Sequence, residues 1–340
     1  MNAAGQQTII MPAYISILIC TYQAPPSLDL LFDSLQSQKW ETEDEVIVID
    51  NGVNAGRLSY LKQRVDQLSS VGVRCVYAKE IKKGLTAARL NGFSHIKNEW
   101  LVLLDDDNVL GENSLARIRE RISLNPQLGG VCPRIEPVWE KAPARWVMML
   151  GHDVLSYNNS DVRRIPDLLI EWKGGERGLR PAGGGMIIHR SAVDAFIELS
   201  KSAPFLYQLG HRGTALGSGE DFLLYHQIYL LGRPTAYDSL IVIKHLIPKE
   251  RMRFLYLCRL FFWANYGFAL VALALLGKIL FIPSIGHCII RLIGRLLTAG
   301  SAAFSFRVMI AFTFAFAGYV CGTFSGLFRN DLPIFRKFRL

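Results

Sequence analysis

The chain has 340 residues, half of them apolar and a fifth charged, which excludes a disordered protein and leaves room for about two domains. The net charge is +9 and the mean hydropathy +0.21, high for a purely soluble enzyme. The basic excess is local: residues 251–340 hold eleven Lys/Arg and one acid, Asp331, whereas residues 1–250 are close to neutral, a pattern that suits anionic lipid headgroups and argues against a nucleic-acid partner.

Up to about residue 135 the pattern predicts alternating strands and helices. Ile15–Cys20 reads as a strand buried on both faces, and Ser27 as the cap of a helix with Leu28, Leu31, Phe32 and Leu35 on one side. Glu45–Asp50 is a second strand, and Leu58, Leu61, Val65 and Leu68 mark the next helix. Val73–Tyr77 and Leu85–Ile96 form the third pair, and Trp100–Leu104 is a strand ending in three aspartates. Leu115, Ile118 and Ile122 mark a fourth helix. Such alternation predicts a doubly wound, mostly parallel α/β sheet whose ligands bind beyond the carboxyl ends of its strands, where Asp50 and Asp105–Asp107 fall.

Residues 136–180 are irregular and rich in Trp, Pro and Gly, and are expected to form much of an acceptor wall. Then come a glycine run (Gly183, Gly184, Gly185), a short strand Met186–His189, and a helix capped by Ser191. Gly217-Ser218-Gly219 leads into Glu220-Asp221 and a helix ending at Gly232; a strand at Leu240–Ile243 closes the unit at His245. The expected division is therefore 1–250 and 251–340, the second part a basic, hydrophobic helical region. Its candidate transmembrane segments are 260–277 and 308–328, two crossings that return the tail (Arg329, Arg336, Lys337, Arg339) to a cytoplasmic catalytic side. Between them Arg291 and Arg295 lie one turn apart, as in an interfacial helix; the soluble alternative for the whole region is a buried helical hairpin. The six cysteines show no metal-type spacing and read as buried thiols. No Lys or Arg precedes Lys39, and Pro12 breaks the first apolar run, which reads against a secretory signal.

Three adjacent carboxylates repel one another, so Asp105-Asp106-Asp107 asks for compensation. Mg²⁺ or Mn²⁺, hard ions that share their shell with substrate phosphates, would supply it; a solvated acidic turn before a helix near Asn113 is the alternative. Glu220 and Asp221 at a helix start are either capping acids or a general base. His245 is a ligand or a structural hydrogen-bonder, and Arg89 meets a diphosphate or solvent. The glycine run is a turn or a place of close ligand approach.

Taken in order, Ile15–Gln23 (ISILICTYQ), Val46–Gly52 (VIVIDNG), Gly84–Gly92 (GLTAARLNG), Trp100–Asn108 (WLVLLDDDN), Pro181–Arg190 (PAGGGMIIHR) and Gly217–Leu224 (GSGEDFLL) resemble the family 2 glycosyltransferases of the GT-A fold over roughly residues 14–250. The resemblance implies that Thr21 and Asp50 hold the nucleotide and that Arg89 lies near base or diphosphate. Asp105 and Asp107 would form the D-x-D, with Asp106 near the ribose and Asp107 the most direct metal contact. Gly184 and Gly185 would shape the sugar pocket, Asp221 would be the catalytic base with Glu220 beside it in the catalytic pair, and His245 would complete the metal shell. Leu90 stands where the family often has Asn after the helix arginine, and Asn51 where a second Asp is common, so Asn51 carries no assigned role. A Q-x-x-R-W motif is absent after Asp221, which points to adding one sugar rather than polymerising.

The expected activity is thus inverting, metal-dependent transfer from a nucleotide-diphosphate sugar, a UDP-sugar favoured, to a lipid-linked or envelope-glycan hydroxyl. The expected place is the cytoplasmic membrane, with the catalytic domain facing the cytoplasm; no feature of the sequence sets an oligomeric state. A non-catalytic nucleotide-sugar-binding scaffold is the alternative. A sugar nucleotidyltransferase is a weaker one, since Cys20–Ser27 (CTYQAPPS) holds no glycine-rich phosphate loop, and a dehydrogenase fails for want of G-x-G-x-x-G.

Overall fold

The computed structural model describes residues 13–151, 155, 171–172, 183–276 and 302–327. Four parallel strands, β1 (Ile15–Thr21), β2 (Glu45–Asp50), β3 (Arg74–Lys79) and β4 (Trp100–Asp105), lie in the order β3-β2-β1-β4. Between them run α1 (Ser27–Gln36), α2 (Ala55–Ser70) and α3 (Leu85–Phe93). Strands β1 and β2 are buried on both faces, which is why they read as unbroken apolar runs. Alternate residues separate the two layers: Ile15, Ile17, Val46 and Val48 face α1, α2 and α4 (Ser114–Leu124), while Leu18, Ile47 and Ile49 face α3, α6 (Arg190–Ser202) and α7 (Glu220–Leu230).

Beyond β4 the sheet turns mixed. β8 (Ile187–His189) is antiparallel between β4 and β6 (Gly130–Trp139); β11 (Thr235–Ile247) runs parallel to β6 and antiparallel to β5 (Asn108–Leu110) and β7 (Glu171–Trp172). The result is a mostly parallel, GT-A-like sheet with flanking helices. A small hairpin, β9 (His211–Arg212) with β10 (Ala215–Leu216), stands apart from it, and α5 (Arg145–Gly151) follows β6. The strand expected at Leu240–Ile243 is the middle of the much longer β11, whose register shifts between Asp238 and Val242.

Several local expectations are corrected. Ser27 makes no capping bond; α1 is preceded by Pro26, and the Ser27 hydroxyl donates instead to the Asp106 carbonyl at 2.9 Å. Ser191 does not cap α6 either: the His189 side chain does, accepting from the Ser191 backbone N–H. Cys321 is exposed and Cys20 and Cys75 are only half-buried, so the thiols are not uniformly buried.

The apolar C-terminal part forms α8 (Phe254–Leu276) and α9 (Ala302–Leu327), each long and apolar enough to cross a membrane. They do not make a hairpin. Phe261 stacks on Phe312, Gly318 abuts the Phe262 carbonyl, and Gly322 abuts Tyr266. Residue numbers rise together along the contact, so the helices run in the same direction. Their carboxyl ends therefore lie at the same end. Gly277, Arg291, Arg295, Phe328, the basic tail and most of the 136–180 acceptor wall lie outside the described residues.

Candidate active site

The three aspartates close β4 in a tight turn fixed from three sides. The Asn108 side chain accepts from the Asp105 N–H at 2.9 Å. Thr21 at the end of β1 donates its hydroxyl to Asp106 at 2.7 Å, beside the bond from Ser27. The Asp107 carbonyl accepts from Leu246 N at 2.8 Å, because β5 pairs antiparallel with β11 and sets Asn108 opposite His245. That register brings His245 Nε2 to 3.4 Å from Asp107 Oδ2, although the two are far apart in sequence.

Arg251, just past β11, reaches the same place. Its guanidinium lies 2.7 Å from Asp107 Oδ2 and donates to His245 Nε2 at 3.1 Å. Burial works against charge on Asp107, but His245 and Arg251 prevail and hold its carboxyl below the usual range. Next door, burial and the Asp107 charge push Asp106 up to about 7. The turn thus keeps one firmly ionised carboxylate and one that sheds its charge more easily.

A second cluster forms on the other side of Asp105. Arg89 on α3 is buried, and its guanidinium meets Asp105 at 3.0 Å, Glu220 at 3.1 Å and the Gly183 carbonyl at 3.2 Å. Burial alone would weaken its charge; Asp105 and Glu220 secure it. This cation therefore organises carboxylates from two parts of the chain. Burial and the neighbouring Asp221 charge push Glu220 up to about 7 against the pull of Arg89. Sealed against Arg89 with 5% exposure, Glu220 is placed to position rather than to react. Asp221 is half-buried at the start of α7, and one of its oxygens accepts its neighbour's N–H at 2.8 Å.

The glycine run joins the two clusters. A Cβ on Gly184 would lie 2.4 Å from an Asp105 oxygen, one on Gly183 3.0 Å from an Asp221 oxygen, and one on Gly185, at φ +101°, 2.9 Å from Ile243. Only glycine lets carboxylates from two ends of the chain approach this backbone. Asp221 is not part of the cleft lining; it stands at the edge, beside Gly183, one residue from Gly184, which does line it.

The cleft has a volume of about 410 Å³. Asp105–Asp107, Asn108, Gly184 and His245 line one part, and Thr21, Tyr22, Asn51 and Lys83–Leu85 another. Arg251, Tyr256 and Leu260 complete it, so the 251–340 part contributes to the same wall as the motif residues. Asp50 is wholly buried and lies behind this wall: it accepts from Gly52 N, Val53 N and the Tyr77 hydroxyl at 2.7–2.9 Å. Asn51, given no role from the sequence, faces the cleft and accepts from Gly84 N at 2.8 Å, tying β2 to the start of α3. The β1–α1 loop holds Gln23 and Ala24 at φ +66° and +44°, a strained stretch held by Arg57, which donates twice to the Ala24 carbonyl. Cys20 also lines the cleft, but burial pushes its thiol up to about 12, so it is no nucleophile at neutral pH.

Among the described residues no three His, Cys, Asp or Glu side chains converge as a ready metal shell. Two do: Asp107 offers a hard carboxylate oxygen, and His245 sets its Nε2 3.4 Å from it. Two protein ligands, with phosphate oxygens filling the shell, fit Mg²⁺ or Mn²⁺. Asp105 is drawn off to Arg89.

Residues 16–180 match the family model described as glycosyl transferase family 2. No curated protein matches the sequence. Among solved structures, one described as GalNAc-T7 with UDP, GalNAc and Mn²⁺ is similar at 19% identity and TM-score 0.48 over 69% of this chain; the chain spans 43% of that protein's length. S. aureus TarS, residues 1–349, is similar at 13% identity and TM-score 0.46, over 92% of this chain and 90% of that one.

Proposed function

We propose that the chain is a family 2 glycosyltransferase, a reading supported by the family model that matches residues 16–180, and that it moves one sugar, with inversion, from a nucleotide-diphosphate sugar to a hydroxyl of a membrane-linked or glycan acceptor. The observation that carries this reading is the meeting of Asp105, Arg89 and Asp221 at Gly183–Gly184, next to the Asp107–His245 pair. The nucleotide lies between the β1–α1 loop and the Asn51–Leu85 wall, with its diphosphate toward Asp107. Asp107 and His245 would hold Mg²⁺ or Mn²⁺, which when bound would supply Lewis-acid neutralisation of charge on the leaving diphosphate.

The sugar sits beside Gly184, whose lack of a side chain lets the Asp105 carboxylate close against the backbone there. Asp221 takes the proton of the acceptor hydroxyl; its oxygen bonds to the anomeric carbon as the bond to the diphosphate oxygen breaks on the opposite face. One displacement inverts the centre. Arg89 and Glu220 keep Asp221 at the glycine run. The basic, apolar C-terminal part keeps the enzyme at the cytoplasmic membrane, with the cleft open to the cytoplasm.

The test is Asp221→Asn. Loss of the base is expected to lower transfer by about 10²–10⁴-fold while the melting temperature and donor binding stay unchanged. Full turnover by this variant would remove the mechanism.

A further inference from the structure

Helix α8 has the length of a membrane span, but the catalytic domain covers it from end to end. Near its start, Tyr256 and Leu260 line the cleft, and Leu257, Cys258 and Phe261 pack with Ile135, Val147, Leu150 and Ile247. Arg259 donates to the Thr214 carbonyl in the turn of the β9–β10 hairpin. At mid-helix, Gly267 lies so close to the turn before α7 that a Cβ there would sit 1.9 Å from the Ser218 carbonyl. Further on, Leu270, Val271 and Ala274 share a core with Leu223 and Leu224 of α7. The turn and helix that carry Glu220 and Asp221 therefore stand at the same level as the middle of α8. Hydrocarbon at that level would have to accept an ionised site and loop backbone, which it does not.

Helix α9 covers the opposite side of α8. It packs through Val308, Ala311 and Ala315, and through Gly318 and Gly322, which rest on the backbone of Phe262 and Tyr266. Among the described residues of this helix, Phe306, Met309, Thr313, Phe316, Phe324 and Leu327 are exposed and fall along one stripe. At 1.5 Å per residue this stripe is about 32 Å long. The only charged residue in the described helix is Arg307, beside its first turn.

The geometry points to a membrane-docking face: α9 lies along the bilayer surface with this stripe in the headgroup and acyl boundary, and α8 is the spacer that holds the catalytic domain above it. The occupant is an anionic lipid surface, because the part of the chain that bears the stripe carries eleven Lys/Arg against one acid. A spanning α9 would need an apolar surface all round, whereas its inner face is already taken by α8 and its parallel partner cannot cross with it. The arrangement sets the cleft, lined by α8 residues, alongside the membrane rather than above a pore or a bundle of spans. An acceptor hydroxyl would reach it from the headgroup layer. This inference rests on the reading that the chain works at a membrane.

The full chain carrying a single spin label at Phe306, Phe316 or Leu327, each replaced by Cys in a background whose six native cysteines are replaced by Ser or Ala, is bound to phosphatidylcholine vesicles with and without phosphatidylglycerol. Docking predicts similar, shallow depths of about 5–10 Å at all three positions. It also predicts that Phe316→Glu with Phe324→Glu lowers partition to the anionic vesicles by about tenfold or more, with donor binding and melting unchanged. A label at Phe316 near the bilayer centre, with both ends shallow, means that α9 spans, and overturns the docking geometry alone. No partition of the unsubstituted chain into either vesicle overturns the membrane reading itself. A substituted chain that turns from dimer to monomer while its partition is unchanged assigns the stripe to a second copy, and overturns the proposal.

Discussion

Arg251 donates to both members of the Asp107–His245 pair, so a cation already balances the carboxylate that a divalent ion would use. Two positive charges compete for one site, and at contact distance that competition is strong. Arg251→Ala is therefore expected to bind Mn²⁺ several-fold more tightly than the unsubstituted chain in the absence of donor, read by calorimetry on the full chain. Unchanged or weaker binding would place the metal elsewhere. Arg251 was invisible in the sequence because composition changes at that point, and a lone arginine opening a basic, apolar stretch looks like a lipid contact. His245 and the aspartate triplet were legible, since a strand end is where an α/β sheet presents chemistry. The second role of Asp106, as partner of Thr21 and Ser27, was not: it depends on a turn that only pairing with β1 and β11 creates. Arg89 shows the same limit. Its position was readable, but its partners, one of them 131 residues away in Glu220, are set by tertiary packing.

At the scale of elements, the glycines decide what can approach what. Gly267→Ala puts a methyl 1.9 Å from the Ser218 carbonyl, a backbone atom that cannot rotate away. Overpacking of this kind costs about 1–3 kcal/mol. Here the displaced element is the turn that leads into Asp221, so the variant is expected to lose transfer activity along with a few degrees of melting temperature. Gly56→Ala, at the exposed start of α2 where the nearest neighbour is 3.5 Å away, is the control and should leave both unchanged. If Gly267→Ala retains full activity, α8 does not position the acid-bearing turn. The parallel strands and their helices were readable from period and burial alone, because both faces of β1 and β2 are covered and their sequences are continuously apolar. Of the antiparallel insertions, β8 was readable as the short strand after the glycine run, and the others were not. β5, β9 and β10 have two or three residues each, too short to show a period, and β11 hides its length behind an irregularity at Asp238–Val242.

For the whole molecule, the packing runs on across the change in composition at residue 251. Leu257, Leu270 and Val271 are buried to 3% exposure or less in clusters shared with β6, β11 and α7. Burying one such side chain contributes about 1.5–3 kcal/mol. Three of them approach the net stability of a typical domain, about 5–15 kcal/mol. A chain ending at residue 252 keeps every motif from β1 to Arg251, yet leaves Ile135, Ile247, Leu223 and Leu224 facing water. It is expected to aggregate, or to lose its cooperative melt, even with donor and Mn²⁺ present. A soluble truncated chain that melts at the temperature of the full chain would show that the sheet closes without α8, and the layered arrangement of catalytic domain, α8 and α9 would then have no energetic basis.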